Sequence, residues 1–151
     1  MRALSIRQPY AELILRGVKT IEYRSRPTRI IGERFYLYAA RGSSGATMRR
    51  HEGGEGIETV ARRVWSDELA VPSARRGEAM PPWMLQLAEM LILDKLPRGV
   101  IVGTACIDRC TPRDSAGGDP SLYEWHLRDV HRLTTLRKPA RQPQPVWFLP
   151  F

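Results

Sequence analysis

Residues 4–28, LSIRQPYAELILRGVKTIEYRSRPT, switch hydrophobic period within one short stretch, and the switch decides the fold. Leu4–Arg7 reads as a short strand. Gln8-Pro9 breaks it, and Pro9 suits a first helical position, where its missing N–H removes no hydrogen bond. Ala11, Ile14 and Leu15 then keep the three-to-four spacing that lays one helix face on a core. Gly17 follows Arg16 where a left-handed residue should end the helix, and Arg16 sets positive charge at the negative end of the helix dipole. From Thr20 to Arg24 the period becomes two, so Thr20, Glu22 and Arg24 share one face while Ile21 and Tyr23 share the other. Lys19 stands at the mouth of this strand. Polar side chains converging beside an apolar helix predict a ligand cleft.

Working outward, the 151 residues predict one domain able to bury most of its apolar surface. No apolar run is long enough to cross a bilayer, and the opening MRALSIRQPY lacks the apolar core of a secretion signal. The expectation is a cytoplasmic protein with no membrane partner. Cys106 and Cys110 fall in one apparent strand, about 13 Å apart if it is straight, too far for a disulfide. No Cys-x-x-Cys pair or His–carboxylate spacing suggests a metal, and no phosphate-loop or dinucleotide fingerprint suggests a cofactor. Net charge is +8, and residues 1–41 hold nine Arg or Lys against three Glu. A basic surplus around a polar cleft favours phosphate-bearing partners, although an arginine-rich composition alone would also produce it.

Further along, Arg34–Ala40 predicts an aromatic-rich strand. Residues 41–56 predict a surface loop whose Arg49, Arg50 and His51 read as solvated charges. Ile57–Leu69 and Trp83–Leu93 have helical spacing and form a helical insertion over residues 57–93, joined by a basic connector at 72–77. Trp65 and Trp83 read as core anchors. Val100–Cys110 is the best strand, 108–118 a polar loop, and Leu122–Leu133 starts as an alternating strand; Asp114, Asp119 and Asp129 read as turn residues. His126 and His131 have no metal-type neighbours. A basic, proline-rich crossing at 137–145 leads to a last strand, Val146–Leu149. These elements predict an α+β fold: a small mixed β-barrel with flanking helices, the insertion covering one mouth.

Gln8-Pro9-Tyr10, Gly17-Val18-Lys19, Glu22 and Arg24-Ser25 resemble the signature of the ASCH (activating signal cointegrator homology) domain, a branch of the PUA-like superfamily. The likeness continues in residues 97–103 and in Pro145-Val146-Trp147. It implies a PUA-like barrel and a cleft on Gln8, Pro9, Tyr10, Lys19, Glu22 and Arg24 that binds nucleic acid, most often RNA. On this reading Arg7, Lys19, Arg24 and Arg26 hold phosphates or a base edge, Gln8 hydrogen-bonds and Tyr10 stacks, for single-stranded nucleic acid or a nucleotide-like small molecule. The resemblance also implies a second reading, a hydrolase. Some small ASCH proteins remove an acyl group from modified cytidine with a Lys and a Thr of this motif plus a distant Glu, and others act as ribonucleases. Lys19 matches that Lys. Glu22 stands at the Thr position and Thr20 is offset by two residues, so Lys19 and Glu22 would carry the chemistry. A third reading needs no ligand: Glu22 and Arg24, two apart on one strand face, simply fasten the helix to the barrel. If the cleft is functional, Glu22→Ala should harm recognition more than stability.

Overall fold

A computed structural model describes residues 1–43, 56–113 and 121–151. The loop arginines 49 and 50, His51, Asp114 and Asp119 lie outside these residues. The strands are β1 (Ala3–Gln8), β2 (Ile21–Arg24), β3 (Arg34–Ser43), β4 (Val100–Pro112), β5 (Tyr123–Arg137) and β6 (Trp147–Phe148). The helices are α1 (Tyr10–Leu15), α2 (Ile57–Trp65), α3 (Ser73–Arg76) and α4 (Trp83–Ile92).

The strands form one mixed sheet in the order β2-β5-β4-β3-β1-β6. β1 runs parallel to β3, and the other neighbours are antiparallel. The sheet curls far enough to bring its two ends together. Trp125 of β5 stacks on Trp147 of β6, ring centroids 5.8 Å apart, and Arg24 of β2 donates from Nη2 to the Ser5 carbonyl of β1 (2.7 Å). No ladder joins β2 to β6 in the strand order, so the expected barrel is a half-barrel with an open seam.

Inside the curl, Leu4, Ile6, Phe35, Leu37, Val102, Ala105, Ile107 and Trp125 pack around Ala11 and Ile14 of α1. The alternation of β1 and the spacing of α1 meet there, as their patterns require. α1 seats closely because β4 offers it a glycine. A Cβ on Gly103 would lie 2.5 Å from Leu15 Cδ2 and 2.6 Å from the His131 carbonyl oxygen, so a larger residue would force the helix or β5 away. Gly17 ends α1 at φ 74°, in the left-handed region that the sequence required.

The insertion packs elsewhere than expected. α2 and α4 bury Val60, Val64, Leu87 and Leu91 against Leu13 and Val18, on the far side of α1, with no sheet residue in that core. It thus backs the helix and does not cap the barrel. The connector at 72–77 contains the single turn α3, and α2 stops at Trp65, short of Leu69. β4 covers the expected strand Val100–Cys110 and runs two residues further, into the stretch expected as loop, because Thr111 and Pro112 pair with Glu124 and Tyr123 of β5. No helix among the described residues is long and apolar enough to cross a membrane.

Candidate functional site

Gln8 closes β1 and starts α1. Its Oε1 accepts from the Glu12 N–H (3.0 Å), supplying a partner for a helix N-terminal donor, while its Nε2 donates to the Pro97 carbonyl (3.0 Å). Both ends of the amide are engaged and the residue is fully buried, and Pro9 beside it is buried too. These two motif residues therefore position the helix and the turn before β4, and they do not face a cleft.

β2 carries the charged centre. Glu22 is buried and accepts from Arg24 Nε at Oε1 (2.9 Å), with Lys19 Nζ 3.4 Å from Oε2. Lys19 is only 3 % exposed and donates to the main-chain carbonyls of Ile21 (2.6 Å) and Leu69. Its ammonium also lies 5.2 Å from the Tyr10 ring centroid and 5.1 Å from that of Tyr23, where ring faces favour a cation. Burial pulls the Lys19 pKa below the usual lysine value, and the Glu22 and Asp67 carboxylates oppose that shift. Tyr10 donates its hydroxyl to Asp67 Oδ2 (2.7 Å). Burial first, then this bond and the charges of Asp67 and Glu22, hold the phenol protonated well above its ordinary range.

Two hollows flank this centre and part the expected residues. A groove of about 420 Å³ lies between β1, β2 and the chain entering β6, and it brings together Arg7, Tyr10, Glu22 and Arg24 with Tyr23 and Val146. Lys19 and Thr20 instead line a hollow of about 190 Å³ on the insertion side, with Glu68, Leu69 and Glu124. Lys19 thus meets Glu22 from behind, its ammonium closed off by the loop after α2. Arg26 is exposed and lines a third hollow, of about 470 Å³, together with Arg24, Trp125 and Trp147.

This geometry changes the expectation for Glu22→Ala. The substitution would strand a sealed ammonium beside its neighbour Arg24, so a loss of stability is expected whatever the groove binds. Arg24 does pair with Glu22, but its other bond, to the Ser5 carbonyl, ties β2 to β1 and not to α1.

The sequence reading missed Asp67, which orients Tyr10, and Pro145 and Val146 as groove walls. It also missed Glu12, whose carboxylate receives Arg16 (2.9 Å) and Arg132 (2.8 Å) behind the groove. The four-residue step from Glu12 to Arg16 was the one local signal for it. No cluster of metal-ligating side chains occurs among the described residues.

The family model described as ASCH domain matches residues 4–129. No curated protein matches the chain.

Proposed function

The chain belongs to the ASCH family, and on that premise we propose that the groove between β1 and β2 binds RNA, holding one nucleotide over Glu22 and Arg24. The observation that carries this reading is the division of charge across the groove. At its floor Arg24 is balanced by Glu22, and the Lys19 ammonium, sealed behind Glu22, lends its charge from outside the groove, which suits an uncharged polar base edge. At its rim Arg7 is exposed, which suits a phosphate. Glu22 can accept from a base amino group, as carboxylates do from cytosine, with the lone pairs that Lys19 and Arg24 leave free. A volume of about 420 Å³ is within the range of small-ligand clefts. The curled mixed half-barrel with α1 seated inside it supports placing the fold in the PUA-like superfamily.

The hydrolase reading draws on one feature, the lowered pKa of Lys19, which is the shift a general base needs. Geometry favours it less. The Lys19 ammonium is committed to two carbonyls and lies outside the groove that holds Tyr10 and Arg24.

Fluorescence anisotropy with a labelled single-stranded RNA, at several salt concentrations, tests the binding reading. Binding that weakens with salt, and that Glu22→Gln weakens about tenfold, is expected when a charged acceptor of a base amino group becomes a neutral one. Absence of binding at low salt would refute it. Incubation with acylated cytidines and with the same RNA separates the runner-up. Product formation that Lys19→Ala abolishes would transfer the assignment to a hydrolase.

A further inference from the structure

We propose that the groove is a track for a single RNA strand of at least three nucleotides, not a pocket for a lone nucleotide; this rests on the RNA reading given above. The 420 Å³ hollow is open at both ends. Ser5, Ala40 and Pro145 are shared with a hollow of about 230 Å³ on one side, and Arg24 and Val146 with the 470 Å³ hollow on the other. One wall is continuous along all three: residues 142–147, pinned where the Ser5 N–H donates to the Val146 carbonyl (2.8 Å).

Cations repeat along this line. Arg41 lines the first hollow, Arg7 the middle one and Arg26 the last. All three are exposed, and among the described residues none of them forms an ion pair, whereas Arg24 is spent on Glu22 and on Ser5. A lone nucleotide carries its charge at one end and would meet one of these arginines. A strand carries a phosphate per nucleotide and would meet each in turn, the arrangement of backbone-tracking grooves. The last hollow is mainly apolar, with exposed Pro27 and half-buried Trp147, which suits an unstacked base.

Competition against a labelled mixed-sequence RNA hexamer tests the inference, using unlabelled mono-, di-, tri- and hexanucleotides on the full chain. The trinucleotide is expected to compete at least tenfold better than the mononucleotide. Arg26→Ala and Arg41→Ala, both at exposed positions, should each reduce the slope of log affinity against log salt for the hexamer by about 0.7. A mononucleotide that competes as well as the hexamer, or a hexamer slope unchanged in both variants, overturns the track while leaving a nucleotide-binding groove. A labelled hexamer that does not bind at all removes both the track and the RNA reading beneath it.

Discussion

Glu12 and Glu22 are both buried carboxylates gripped by two cations, yet the grips differ in kind. Glu12 holds Arg16 and Arg132, whose side chains are 26 % and 48 % exposed, so both partners can reach water without it. Glu22 holds Lys19, 3 % exposed behind two carbonyls, which cannot. What a buried carboxylate contributes is therefore decided by where its partners go when it is removed. Glu12 stitches α1 to β5 across the back of the helix. Glu22 neutralises a trapped ammonium and presents what is left of its acceptor capacity to the groove.

The comparison can be broken at its strongest point first. Glu22→Ala leaves Lys19 buried without its carboxylate and should cost about 3 kcal/mol or more. For a chain of this size that is a fall in Tm of roughly 10 °C by calorimetry. A Tm within 2 °C of the wild type would show that Lys19 is not sealed. Gly103→Ala comes next. Its Cβ would press on Leu15 and on the main-chain oxygen of His131, and overpacking of this kind costs about 1–3 kcal/mol in chemical denaturation. Because α1 would shift on β4, the Glu12–Arg132 pair should loosen with it.

Glu12→Gln should cost only about 1 kcal/mol, since Arg132 is half exposed. Its signature is in the pH dependence. Burial alone would raise the Glu12 carboxyl, but hydrogen bonds from Arg132 and Arg16, with their charges, outweigh it and hold the pKa below the ordinary 4.5. A depressed carboxyl contributes stability that is fully present above its unfolded value and disappears as pH falls through the folded one. Wild-type stability measured downward from pH 5 should therefore decline more steeply than that of the glutamine variant. Parallel curves would contradict the assignment.

Much of this architecture is local and so was legible. β1, α1, the Gly17 stop and β2 follow one another by spacing alone, and no distant residue is needed to specify them. The charged centre was legible as a set of residues but not as an arrangement. Lys19 is sealed by a carbonyl fifty residues away, at Leu69, which no motif near β2 encodes. Gln8 reads as a free amide until Pro97 is brought beside it, and Glu12 reads as a surface helix charge until Arg132 arrives from β5. The last two residues of β4 depend on a distant partner in the same way. Thr111 and Pro112 fall in a polar, proline-containing run, and only the ladder to β5 makes them strand. Pro112 sits at the strand's terminus, where a missing N–H is tolerated.

The central claim is that RNA lies in the groove over Glu22 and Arg24, and Arg7 gives the cleanest access to it, being exposed there and engaged by no carboxylate among the described residues. The decisive measurement is the low-salt affinity of Arg7→Glu for single-stranded RNA, with Tm recorded on the same sample. The expected result is an affinity at least tenfold below the wild type with Tm unchanged, since a repelling charge would replace a phosphate contact. Equal affinity in the two proteins would contradict it and would move the RNA, if bound, to another face.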